Sequence, residues 1–147
     1  MPERLAVVLD TNVVLDLLVF DDAQARPLLT ALQEGALEAW ADARTLEELR
    51  QVLGYASFGL DAAAQAALLA RYGALVRVAP PMGPEQGARG ELPRCADRDD
   101  QKFLELAARA GARWLVSKDK QLLQLRGWKS LPFLILRPPE AAARLGP

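Results

Sequence analysis

The sequence predicts an α/β fold, a three-layer α/β/α sandwich built on a five-stranded parallel sheet. Two observations carry this. Short apolar runs recur at Leu5–Leu9, Leu37–Ala41, Leu75–Val78, Trp114–Val116 and Phe133–Leu136, and stretches with helical spacing separate them. Strands that alternate with helices in this way pair in parallel through right-handed crossovers. The chain is 147 residues long and 51% hydrophobic, enough for one proper core, so residues 1–147 read as a single domain.

Leu5–Leu9 is apolar throughout, as a strand covered on both faces must be. It stops at Asp10-Thr11-Asn12, and a helical apolar pattern begins at Val13 and Val14. Asp21-Asp22 offers an N-cap for a second helix through about Glu34, with Pro27 tolerable only near its first turn and Gly35 closing it. Leu37–Ala41 is a weaker strand, interrupted by Glu38. Ala43–Leu53 carries Leu46, Leu49, Val52 and Leu53 on one helical face and stops at Gly54. Asp61 caps a helix from Ala62 to Tyr72, with Gly73 as its expected end, before the strand Leu75–Val78. Residues 80–98 hold repeated Pro and Gly without periodicity and read as a long loop. Asp99 or Asp100 opens the next helix, with Phe103, Leu104, Ala107 and Ala110 inward and Gly111 as its end. Trp114–Val116 leads through Ser117-Lys118-Asp119 into a short helix ending near Leu123. After Phe133–Leu136, Pro138-Pro139 starts a short terminal helix within the tail 138–147.

Composition removes several kinds of chemistry. The chain has no His, which excludes Ser-His-Asp catalysis and imidazole-ligated zinc. The single Cys95 has no partner for an internal disulfide. No apolar run is long enough to span a bilayer, and the N-terminus lacks a secretory pattern, so a cytoplasmic protein is expected. The net charge is −1, so any binding to nucleic acid needs a local basic patch or bound cations.

The remaining chemistry is acidic. Asp10 follows the first strand, Asp119 follows the fourth, and Asp100 starts the helix that feeds the fourth. If strands one and four are neighbours at a switch point, these three carboxylates meet at one sheet edge. The helix after strand two offers Glu47 and Glu48. At about 100° per residue Glu47 lies opposite the apolar face, whereas Glu48 borders it and can reach the edge, so Glu48 is the expected fourth acid. Each residue also has a plainer explanation. Asp10, Asp100 and Asp119 all stand where Asp caps helices, Glu48 alone reads as a solvated helix residue, and Asp97 and Asp99 read as loop and cap residues able to join an outer shell. Asn12 and Ser117 fit ordinary turn and strand-end positions. Taken together, four converging carboxylates repel one another and call for cations, and an all-oxygen set selects a hard divalent ion, Mg²⁺ or Mn²⁺. Arg94, Arg98, Lys102, Lys118 and Lys120 lie near enough in sequence to meet flanking phosphates, or they are solvated surface charges.

VVLDTNVVLDLL, TLEELRQVL and CADRDDQKFLELAARAGARWLVSKDKQLL, in that order, resemble the PIN-domain ribonucleases, in particular the toxin components of bacterial toxin–antitoxin pairs. The resemblance runs from Leu5 to about Pro139. It places the family's four acidic positions on Asp10, Glu48, Asp100 and Asp119, with Asn12 beside the first and Ser117 where the family usually carries Thr. It implies metal-dependent endonucleolytic cleavage of RNA with Mg²⁺ or Mn²⁺, a small antitoxin protein as partner, and a homodimer. A PIN nuclease of RNA processing, or a PIN fold kept only for binding, would carry much the same sequence. A phospho-accepting receiver domain is disfavoured, because the third strand ends in Val78-Ala79-Pro80 and the fifth in Leu136-Arg137, without the Asp and Lys that fold requires. A covalent-Asp phosphatase is disfavoured by Asn12, where a second acid is usual.

Overall fold

The computed structural model describes residues 4–80, 92–128 and 131–145, so most of the expected loop at 80–98 lies outside the described residues. The strands are β1 (Leu5–Leu9), β2 (Leu37–Ala41), β3 (Val76–Val78), β4 (Trp114–Val116) and β5 (Leu134–Leu136). The helices are α1 (Thr11–Leu18), α2 (Arg26–Glu34), α3 (Ala43–Leu53), α4 (Ala62–Leu75), α5 (Gln101–Ala110), α6 (Lys120–Leu123) and α7 (Pro138–Leu145). The five strands form one all-parallel sheet in the order β3-β2-β1-β4-β5.

The strand period of two sorts the core into two layers. Val7, Leu9, Ala39, Trp114 and Val116 face one way, onto a cluster with Val13, Leu17, Leu28, Leu49 and Leu53. Val8, Leu115 and Ile135 face the other way, onto Phe103, Leu104, Leu106, Ala107 and Leu122. Val7 and Val8 are both fully buried, as a central strand covered by helices on both faces requires. Burying a side chain of this size is worth about 1.5–3 kcal/mol, so these two layers hold the sheet edges in place.

The chain leaves β1 towards β2 and β3, then returns to place β4 and β5 on the other side of β1. The strand order therefore reverses between β1 and β4, the crevice where open α/β sheets hold ligands. The register carries β1 and β4 to a common end: Leu9 pairs with Val116, and the Asp10 N–H donates to the Val116 carbonyl at 3.0 Å.

Three boundaries depart from expectation. Asp21-Asp22 does not cap α2, which starts at Arg26 with Pro27 in its first turn. Asp22 instead accepts from the Gln24 N–H and Asp21 binds Arg26, so both carboxylates are spent on the turn before the helix. Gly73 does not end α4. The helix runs through it to Leu75, because glycine at an exposed site weakens a helix without forcing a left-handed turn. The helix expected at Asp99 or Asp100 begins at Gln101, after a 3₁₀ turn over Arg98–Asp100 that Asp97 caps through the Asp99 N–H. Ala110 is only half-buried, and β5 starts one residue after the buried Phe133. By contrast, Gly111 ends α5 as expected. Its φ of +67° turns the chain so that the next N–H, that of Ala112, donates to the Ala107 carbonyl at 2.9 Å and β4 follows directly.

A candidate metal centre at the β1–β4 edge

Asp10 ends β1 and begins α1, but its carboxylate makes no capping hydrogen bond. It is buried, and it accepts from Ser117 Oγ at 2.7 Å. Ser117 is fully buried at the end of β4, and its Oγ also accepts the Asp119 N–H at 2.9 Å. One hydroxyl thus ties the ends of the two strands together and sets Asp10 and Asp119 on the same crevice. Asp119 does cap α6, through the Gln121 N–H, which leaves its second oxygen to the site. Lys118, between Ser117 and Asp119, pairs at 2.6 Å with Asp16, the buried acid of α1.

Asp100 is buried where the 3₁₀ turn meets α5, and it too makes no capping hydrogen bond. Its Oδ2 has no hydrogen-bond partner among the described residues, while Asp97, Asp100 and Asp119 each bring a carboxylate oxygen to within 4.8 Å of the others. The sequence reads Asp97 as a loop and cap residue able to join an outer shell, and the structure brings it in beside Asp100 and Asp119. Its spacing of three from Asp100 was the available signal, since residues i and i+3 of a 3₁₀ turn stand one above the other.

Glu48 is half-buried on α3. It accepts from Thr11 Oγ1 and from Lys102 Nζ, the latter at 2.8 Å. Glu47, one residue earlier, is exposed and pairs with Arg50. Thr11 is a site residue that the sequence reading passed over, although it stands between Asp10 and Asn12. It is buried, while Asn12 is exposed. Among the candidate phosphate contacts, Lys102 is engaged by Glu48 and Lys118 by Asp16. Arg94, Arg98 and Lys120 are exposed and form no salt bridge with described residues.

The electrostatics show an uncompensated cluster. Burial raises the Asp10 carboxyl above its usual range, the Ser117 hydroxyl opposes the rise, and the charges of Glu48 and Asp119 add to it. Asp100 is pushed up to about 8, first by burial, then by the charges of Asp10 and Asp119 and by its contact with the Asp119 carboxyl. A cation placed among these groups would relieve both the repulsion and the orphaned Asp100 oxygen. The donor set is all carboxylate, which suits a hard divalent ion. The residues therefore fit such an ion on two independent grounds, donor chemistry and an unsatisfied buried acceptor.

A groove of about 420 Å³ opens beside this centre, lined by Arg44, Glu48, Val52, Tyr55, Asp99 and Lys102 among others. No helix among the described residues is long and apolar enough to cross a membrane.

Comparison with known proteins agrees with the geometry. No curated protein matches the chain. The crystal structure of PAE2754 from Pyrobaculum aerophilum superposes with a TM-score of 0.60 over 96% of this chain and 95% of that one, at 16% identity, a likeness of fold. A family model described as the PIN domain matches residues 6–121, a span that takes in Asp10, Glu48, Asp97, Asp100 and Asp119. The match covers most of the chain, and the chain belongs to the PIN-domain family, a family of nucleases.

Proposed function

We propose that this protein is an endoribonuclease dependent on Mg²⁺ or Mn²⁺ and the toxin component of a bacterial toxin–antitoxin pair, working in the cytoplasm as a single domain. The observation that carries the reading is the buried Asp100 carboxylate, with one unpartnered oxygen facing acids it repels, in the switch-point crevice of a PIN fold. Asp10, Asp100, Asp119 and Glu48 would hold the cation. Such an ion supplies an acidified water and neutralises charge building up on a phosphodiester.

The chain's own groups do the positioning. Ser117 holds Asp10 by its hydroxyl and Asp119 by its main chain, so a shift of β4 against β1 would misplace both acids. Thr11 and Lys102 fix the orientation of Glu48. Arg94, Arg98 and Lys120, exposed and without salt bridges to described residues, would meet flanking phosphates, with Asn12 as a further polar group. A small antitoxin covering this crevice, and a homodimer, complete the proposal.

The test is calorimetric titration with Mn²⁺ and cleavage of a mixed RNA pool with and without EDTA, on the wild-type chain and on Asp10→Asn/Asp119→Asn. Expected are metal binding and EDTA-sensitive cleavage, with the double variant at least about a thousandfold slower. Cleavage that persists in EDTA, or no Mn²⁺ binding, overturns the reading. Growth arrest on expression, lost in the same variant, tests the toxin role.

A further inference from the structure

Three aromatic side chains gather on the surface beside the groove. Tyr55 and Phe20 are 56% and 55% exposed, unusual for side chains of this size. Between them stands Phe58, with its ring centroid 5.7 Å from that of Phe20 and 6.3 Å from that of Tyr55. The Tyr55 and Phe58 rings are nearly parallel, at 5°. They sit on the short segment between α3 and α4, and Phe20 follows α1. Tyr55 belongs to this cluster and also lines the groove whose other members include Glu48 and Lys102.

We infer that Tyr55, backed by Phe58 and Phe20, is a stacking platform for an unpaired base of a single-stranded nucleic acid whose backbone continues along the groove to the acidic centre. The inference rests on the nuclease reading for the direction of the strand, and it adds a residue that grips the substrate. An apolar protein helix is the less suitable occupant, because the groove that Tyr55 opens onto is lined chiefly by charged and polar side chains. The groove also holds more carboxylates, Glu47, Glu48 and Asp99, than cations, Arg44 and Lys102. Phosphate attraction alone therefore holds a strand poorly there, and the flat face of a base on an aromatic ring supplies attraction that needs no positive charge. A duplex keeps its bases stacked inside and offers no such face at the groove lip.

The test is fluorescence anisotropy with a labelled single-stranded oligoribonucleotide and with the same strand in a duplex. Both are measured with Mg²⁺ from 50 to 200 mM salt on protein carrying Asp10→Asn, compared with Tyr55→Ala and Tyr55→Phe in that background. Tyr55→Ala should weaken single-strand binding about tenfold by the same factor at every salt concentration, Tyr55→Phe should restore it, and duplex binding should not change. Unchanged binding in Tyr55→Ala, a loss that varies with salt, or no RNA binding by the parent overturns the platform. So does a change in oligomeric mass on Tyr55→Ala with RNA binding unmoved, which would make the aromatic patch a protein contact. Tyr55 is exposed, so its variants should keep the parental melting temperature. RNA cleavage by the unmutated chain is scored separately: Tyr55-dependent binding without any cleavage would refute the nuclease reading and leave the platform standing.

Discussion

Asp10 and Asp42 hold matching stations in the fold. Each follows a central parallel strand, β1 or β2, each begins the next helix, and each is almost fully buried, at 4% and 3% exposure. Their surroundings are opposite. Asp42 caps α3 through the Thr45 N–H in a reciprocal capping box, and it meets Arg109 at 3.0 Å and Arg44 at 3.4 Å. Arg44 in turn binds Glu105 at 2.8 Å, which fastens α3 to α5. Burial pushes the Asp42 carboxyl up, but the Thr45 amide and the two guanidinium groups outweigh it and hold the group below its usual range. Asp10 has the Ser117 hydroxyl and the Asn12 amide against burial and the charges of Glu48 and Asp119, and it is held above that range. A buried acid that serves the fold is neutralised by the fold, and a buried acid that serves a ligand is left for the ligand.

Substitution separates the two stations most sharply at Asp42. Replacing it by Ala removes the cap and leaves Arg109, already buried with Nε and Nη1 atoms that have no partner among the described residues, without its counter-charge. Breaking a buried ion pair from one side costs about 3–5 kcal/mol, so urea unfolding should show a loss of that size, while Mn²⁺ affinity of the folded protein stays within about twofold. Asp10→Asn should do the reverse, with no loss of stability in metal-free protein and a loss of Mn²⁺ binding. Equal destabilisation by the two would break the comparison.

The pH dependence carries the same contrast with opposite sign and a smaller effect. Asp100 titrates near 3.8 in the unfolded chain and at about 8 in the fold. The folded state therefore holds the proton more tightly. The resulting stability is complete below about pH 4 and is lost as pH rises through 8. Asp42, with its depressed carboxyl, contributes in the other direction: its stability is present above the ordinary carboxylate range and lost as pH falls through its folded value. In EDTA, Asp100→Asn should raise stability at pH 8 by about 1–3 kcal/mol, the cost of a buried unsatisfied polar group, and leave it unchanged at pH 4. Adding Mn²⁺ to the wild-type chain should reverse the slope, because a ligand that needs the carboxylate binds better as protons leave. A wild-type profile that is flat in EDTA between pH 4 and 8 would remove the basis for treating the centre as uncompensated.

These two stations also mark what a sequence discloses. The sheet and its helices were legible because their signals are local: Leu5–Leu9 is apolar without interruption, and the Ala43–Leu53 helix lies between Asp42 and Gly54 as its pattern indicates. The errors were local as well, where one residue type has two uses, as with Asp21-Asp22 and Gly73. The site was legible through strand ends and helix spacing, yet a strand-end acid alone would admit Asp42 beside Asp10. What separates them is Arg109, 67 positions further on, whose arrival depends on how α5 lies across the sheet. Asp97 reads from sequence as a cap or an outer-shell acid and not as a member of the central set for a related reason, since its place depends on a 3₁₀ turn in place of the α-helical start that the sequence suggests.

The smallest expected effect tests the finest distinction, between adjacent residues of α3. Glu47 is exposed and bound to Arg50, so Glu47→Gln should leave melting temperature and Mn²⁺ affinity as they are. Glu48 is half-buried between Thr11 and Lys102, and its charge acts on Asp10. Glu48→Gln keeps an oxygen for the Thr11 hydroxyl and loses the charge that faces Lys102 and the site. Mn²⁺ affinity should then fall at least about tenfold, since a carboxylate that would help to hold the ion is lost. The outcome is decided by a 100° step around one helix. If Glu47→Gln weakens the metal and Glu48→Gln does not, the side chain held by Lys102 belongs with Asp42 among the acids that the fold has already neutralised.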